Sequence, residues 1–318
     1  MFDTAQEYLE YLQQICTKVY DLPFEKDPEF TKLNSQDVVH LSPDQLDGMY
    51  QMKFLLNQYL NAILNTVSPD LKEKIESSLA IGFVRNGSFN ATCSKSSTGK
   101  YAVLIYEGLF ILLNKHGKLA HATNNPKIVR FCNRGDIKTL TSDDYIKFMN
   151  ELFDNYKKYH FPIGALVKLD SKYLSHMVSI MLSELFTICH EIGHFINGDF
   201  DEEANFANLA DHPFEAFIED RSHEIEYKAD LSAYPIFEKA AFNLFPEMEK
   251  NNFVPVLSTF FAIMGTVSNS KSESHPEAFR RMTNILAAYY SEQIALDYLA
   301  SFESQEKSNE FFSRFVSD

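Results

Sequence analysis

The sequence predicts an α+β protein, mostly helical, in which a small antiparallel sheet packs beside one long helix. Three observations point there. Only 11 glycines and 11 prolines interrupt 318 residues that are 45% apolar and rich in Phe, Leu, Tyr and Ala, a composition that favours long helices over a sheet sandwich. Serine- and threonine-led helix starts recur along the chain. Between residues 80 and 106 the apolar period shortens toward that of strands.

In chain order, Ser42-Pro43 with Gln45 in the capping-box position and Ser68-Pro69 predict helix starts, so about the first 80 residues are expected to be helical. LAIGFV, SFNATCSK and KYAVLIY then read as short antiparallel strands, separated by Asn86-Gly87 and by the polar turn at 96–99. A short helix is expected over Glu107 to Lys115, followed by irregular surface chain from about His116 to Leu140. Thr141 with Asp144 caps a helix toward His160, which Pro162 and Gly164 end. A long helix follows from near Asp170 to Asn197, closed by Gly198. Between Asp199 and Asp220 lie eight acidic residues and no Lys or Arg; this reads as a solvated loop, or a lid that selects basic substrates. Helices resume near Glu224, with breaks at Pro235, Pro246 and SNSKSESHP. The expected organisation is an N-terminal helical region over 1–79, a central domain over 80–300 and a helical tail over 301–318.

Composition excludes several classes of function. The formal charge of -15 opposes binding to nucleic acid, whose phosphates would repel it. Cys16, Cys93, Cys132 and Cys189 lie far apart with no C-x-x-C spacing, which suggests neither a disulfide framework nor a thiolate zinc site. The first residues, MFDTAQEYLEYLQQ, are acidic and amphipathic, unlike a secretory signal. Val254 to Val267 is apolar but falls short of the roughly 20 residues that span a bilayer. It reads as a buried core helix, and a cytoplasmic protein without a membrane span is expected.

The chemistry concentrates in His190-Glu191-Ile192-Gly193-His194. Residues four apart on a helix share a face, so both imidazoles can reach one cation, and Glu191 borders the same cleft as a general base. Zinc suits such ligands but needs a third from elsewhere in the chain. Glu226, in Glu226-Tyr227-Lys228-Ala229-Asp230, is the best candidate, with Asp230 one turn on to receive the free ring N–H of a ligand histidine. His223 and Glu224 are competing ligands from another side of that helix.

Together these residues resemble the gluzincin zinc metallopeptidases of family M48, whose pattern is H-E-x-x-H, then E-x-x-A-D, then His-Pro with an arginine six residues after the histidine. Here those pieces read HEIGH at 190–194, EYKAD at 226–230 and SHPEAFRR at 274–281, and FNATCSK…GKYAVLIYEGLFILL is similar to the family's upstream strands and helix. The resemblance covers roughly residues 80–113 and 180–290. The Lit and ImmA/IrrE types of HExxH peptidase are comparable. It implies a zincin-like domain and one Zn2+ per chain held by His190, His194 and Glu226. It also implies His275 as donor to the tetrahedral intermediate, Arg281 holding His275 or a nearby carboxylate, and Asn90 and Ala91 at a substrate-binding sheet edge. The expected function is a zinc endopeptidase acting on a protein or peptide. Alternatives are a metal-bearing regulatory module without turnover, and hydrolysis of another amide or an ester by the same site. The oligomeric state is not legible.

Overall fold

The computed structural model describes residues 2–18, 48–124, 129–131, 141–165, 167–169, 175–200, 222–267 and 278–315. Among the described residues three helices precede the sheet: α1 (Ala5–Cys16), α2 (Gly48–Leu64) and α3 (Pro69–Ser78). The Ser68-Pro69 start behaves as the sequence suggests, because the Ser68 hydroxyl accepts from the Leu71 N–H while Pro69 occupies a position that needs no donor. Ser42, Pro43 and Gln45 lie outside the described residues.

Strands β1 (Leu79–Val84), β2 (Ala91–Lys95) and β3 (Tyr101–Tyr106) follow. Their sheet is mixed, not antiparallel: β3 is central, β1 runs parallel to it and β2 antiparallel. The turn over 96–99 closes the β2–β3 hairpin as expected, but Asn86-Gly87 is not a hairpin turn. Asn86 is buried and its side-chain amide donates to the Cys16 carbonyl. Gly87 meets Gly108 so closely that a Cβ on Gly108 would lie 1.8 Å from the Gly87 oxygen. These residues carry the chain across β3 and lock the crossing against the next helix.

That helix, α4 (Glu107–Asn124), extends well beyond Lys115. The stretch from His116 onward is not the irregular chain its polarity suggests, because Leu119 and Ala122 are fully buried on one face. Gly117 lets the helix approach Ile180, whose side chain would sit 2.9 Å from a Cβ there. The short pair β4 (Val129–Phe131) and β5 (Val167–Leu169) brackets α5 (Ser142–Tyr159), whose Thr141/Asp144 capping box forms as read.

Two 23-residue helices form the centre, α6 (Ser175–Asn197) and α7 (Ser222–Leu244). Pro235 does not break α7. Proline cannot donate to the carbonyl four residues back, and that carbonyl, of Leu231, instead accepts the Tyr289 hydroxyl at 2.5 Å. A side chain from a distant helix thus supplies the missing bond, which no local rule foresees. The chain continues through a 3-10 turn at Lys250–Asn252 into α8 (Phe253–Val267), α9 (Ala278–Tyr289), α10 (Glu292–Ala300) and α11 (Gln305–Ser313). Helix α8 buries Phe253, Val254, Leu257, Phe260 and Phe261 as a core helix, and no described helix is long and apolar enough to cross a membrane.

The sheet is covered on both faces. Tyr8, Leu9 and Leu12 of α1 pack on Val84, Ala102, Leu104 and Tyr106. The opposite face, with Tyr101, Val103 and Ile105, joins the main core, which extends from Leu56 to Phe315. Tyr101 meets Phe195 edge-on at 4.8 Å, which fixes α6 beneath the sheet.

One buried acid in that core yields a prediction. Glu184 of α6 is 3% exposed and accepts the Tyr59 hydroxyl at 2.5 Å. Burial outweighs this bond and pushes its pKa up to about 8, from an ordinary 4.5. The folded state therefore holds a proton that the unfolded chain releases, so the stability this contributes is complete below about pH 4.5 and is lost as pH rises through about 8. Across that window roughly 1.4 kcal/mol is lost per pH unit. Thermal melts from pH 5 to 9 should show that Glu184→Gln flattens the alkaline decline; parallel wild-type and mutant slopes would contradict this.

Candidate metal centre

The site forms where α6 and α7 meet. In α6, His190 and His194 face α7 because the i, i+4 spacing sets them one above the other, while Ile188, Ile192 and Phe195 are buried in the core on other sides. In α7 the same spacing aligns Glu226 with Asp230. Small residues bring the two backbones together: a Cβ at Gly193 would lie 2.5 Å from the Ala229 carbonyl oxygen, and Ala229 and Ala233 are fully buried. Gly193 is therefore required by close helix approach, which carries the carboxylate of one helix to the imidazoles of the other.

His190, His194 and Glu226 are all buried, and each offers one ligand atom within 4.8 Å of the others. The Nε2 atoms of the two histidines stand 3.1 Å apart. His190 Nε2 is 3.2 Å from Glu226 Oε2, and His194 Nε2 is 3.7 Å from Oε1. Around this cluster lies a second set of partners. Asp230 Oδ1 lies 2.9 Å from His190 Nδ1, and Asp199 Oδ2 lies 2.8 Å from His194 Nδ1. Arg281, from α9, donates through Nε and Nη2 to the two Asp230 oxygens at 2.7 Å each, and its Nη1 is 3.1 Å from Glu226 Oε2. The guanidinium also lies 5.4 Å from the centre of the Phe261 ring.

These contacts fit a metal ion. Carboxylates only accept, so each Nδ1 facing one carries the proton and turns an Nε2 lone pair inward. The inward atoms are then all acceptors, and such a group is stable when a proton or a cation is shared among them. Donors about 2.0–2.1 Å from a tetrahedral zinc stand about 3.3 Å from one another, within the observed range.

The electrostatics follow from burial and pairing. Burial and the Arg281 charge disfavour the His190 imidazolium, but bonds to Asp230 and Glu226 outweigh both, so the ring holds its proton more tightly than a free histidine. Metal uptake must displace that proton. Burial works against the Asp230 carboxylate, yet Arg281 and His190 keep it below the usual range. Burial raises the Glu191 pKa, and the imidazoles and Arg281 pull it back without cancelling the rise.

Other expected site residues are placed as follows. Arg281 holds carboxylates, one of the two roles expected of it; His275 lies outside the described residues. His223 and Glu224 are exposed, and Glu224 pairs with Lys228 at 2.8 Å on the surface, away from the cluster. Ala91 opens β2, and Asn90 accepts from the Tyr106 N–H across the hairpin. This bond makes Asn90, Thr92 and Ser94 the hydrogen-bonded partners of β3, so the backbone groups of Ala91, Cys93 and Lys95 point to the other edge. No further strand pairs there among the described residues. Cys93 lies close enough to Glu191 and Asp199 that their charges add to burial in raising its thiol pKa, which sets the edge strand beside the metal centre. Asp199 does not stand out in the sequence, because it opens an acidic run that reads as solvated surface. The signal that could have found it is Gly198, which ends the helix one residue earlier.

The fold and cluster define an α+β protein with a buried two-histidine, one-glutamate group able to hold a metal ion. No known protein family, curated protein or solved structure matches the chain.

Proposed function

We propose that the chain is a zinc-dependent endopeptidase with a zincin-like domain, acting on a protein or peptide segment in the cytoplasm. The observation that carries this reading is the convergence of His190 and His194, one turn apart on α6, with Glu226 of α7, while Glu191 sits between the two histidines in sequence, itself buried. His190, His194 and Glu226 would hold the ion. A zinc ion there supplies Lewis acidity, which polarises a scissile carbonyl and acidifies water.

The chain's own residues do the rest. Glu191, with its pKa raised by burial, accepts the proton of the attacking water and returns it to the departing amine. Asp230 and Asp199 fix the imidazole tautomers. Arg281 stays charged because the paired carboxylates outweigh its burial, and it balances the anionic cluster. The edge of β2 that no described strand pairs presents the backbone N–H and C=O of Cys93 outward, and an extended peptide can add there as a strand without being read by its sequence. The resemblance of HEIGH, EYKAD and SHPEAFRR to the M48 pattern supports the same reading.

The test is metal analysis of the purified protein together with digestion of an unfolded casein-like protein. The expected result is one zinc per chain and cleavage that a chelator abolishes and added zinc restores. Zinc without cleavage would favour a regulatory module; cleavage indifferent to the chelator would end the proposal.

A further inference from the structure

Both site histidines meet a carboxylate through Nδ1, yet the two carboxylates lie in different electrostatic settings. Asp230 is fully buried and shares its charge with the Arg281 guanidinium through two bonds of 2.7 Å, besides its 2.9 Å contact with His190. Asp199 meets His194 Nδ1 at 2.8 Å, and among the described residues that is its ion pair.

The helix ending delivers Asp199. Gly198 has φ +69°, a left-handed conformation that glycine adopts without steric cost. The Gly198 N–H donates to the Phe195 carbonyl at 3.4 Å and the Asp199 N–H to the His194 carbonyl at 3.2 Å. These are the two bonds of a Schellman ending, which turns the chain back over the last helical turn. The residue after the glycine therefore returns to the histidine five positions earlier, and its side chain lands on the ring nitrogen that faces away from Glu226.

We propose that Asp199 is the positioning residue that sets the metal affinity of His194, whereas Asp230 mainly secures the junction of α7 with α9. This rests on the reading that His190, His194 and Glu226 bind a metal. Asp199 fixes the tautomer by accepting from Nδ1–H, and its charge, which no guanidinium among the described residues shares, strengthens the ring as a donor through Nε2. Asp230 orients His190 in the same manner but lends less charge, because Arg281 already takes it. Loss of the Asp230 charge would take from the buried Arg281 the acceptor of two of its bonds; among the described residues no guanidinium depends on Asp199.

Asp199→Asn tests this because it keeps the size and an acceptor oxygen and removes only the charge. Zinc affinity, measured by competition with a chromophoric chelator, should fall ten- to a hundredfold, the range for outer partners of metal ligands. The visible absorption of the cobalt-loaded protein should shift, and the metal-free melting temperature should stay at the wild-type value. Asp230→Asn should lower the metal-free melting temperature. Wild-type zinc affinity in Asp199→Asn overturns the proposal. So does a metal-free melting temperature lowered as far as in Asp230→Asn, since Asp199 would then be a structural acid. A wild-type chain that takes up no zinc overturns this and the underlying reading together. One that binds zinc, responds to Asp199→Asn and cleaves no peptide overturns the peptidase reading alone.

Discussion

Glu191→Gln is expected to lower the rate of peptide cleavage by about 10²–10⁴-fold, the usual contribution of a positioned general base, while zinc content stays at one per chain. Glu191 lies one position after His190 on α6, so it is turned about 100° from the ligand face and does not belong to the three-residue cluster that converges on the metal position. Its carboxyl is 5% exposed, and its pKa is raised chiefly by burial, which brings it closer to the pH at which a base can both take and return a proton. An amide of the same size cannot do either. Zinc analysis and cleavage assays on one preparation of the variant check this. Retained cleavage would assign the base to another residue, and loss of zinc would make Glu191 a ligand.

Arg281→Met is expected to destabilise the metal-free protein by about 3–5 kcal/mol, the cost of removing one partner from a buried ionic group. Arg281 is 3% exposed, binds both oxygens of Asp230 and approaches Glu226. Its loss leaves two buried carboxylates facing the same interior without their cation. Zinc should recover part of the deficit, because binding to the folded state alone adds stability and a divalent ion would lie next to Glu226, though it leaves Asp230 with His190 as its remaining partner. Arg281→Lys should fall between the two, since an ammonium lacks the planar fork that engages both Asp230 oxygens. Chemical denaturation with and without zinc measures these differences. A metal-free stability for Arg281→Met equal to wild type would show that the three-residue ionic group contributes nothing.

The pieces of the candidate site that obey local rules were legible in the chain. The i, i+4 spacing of His190 and His194 follows from helix geometry, as does the alignment of Glu226 with Asp230, and both hold whatever else the fold does. The capping boxes and the stop at Gly198 are likewise local. Where the fold departs from local expectation, a contact distant in sequence decides. Asn86-Gly87 reads as a hairpin turn because the dipeptide favours one, yet its role depends on Gly108, distant in sequence. Pro235 reads as a break because the rule is local, whereas the bond it forfeits is replaced by Tyr289 from another helix. His116 to Asn124 looked like surface chain because its polar residues hid the buried face of Leu119 and Ala122.

What the sequence by itself determined is therefore which side chains stand on a common helical face and where the capped helices start, as at Ser68 and Thr141, since those bonds lie within a few residues. Only the tertiary structure decided that Glu226, not His223 or Glu224, meets the imidazoles, that β1 lies parallel to β3, and that Asp199 and Arg281 complete the ring of charge. Those outcomes depend on how closely α6, α7 and α9 approach one another, which is set by small residues such as Gly193 and Ala229 packing against surfaces far away in the chain.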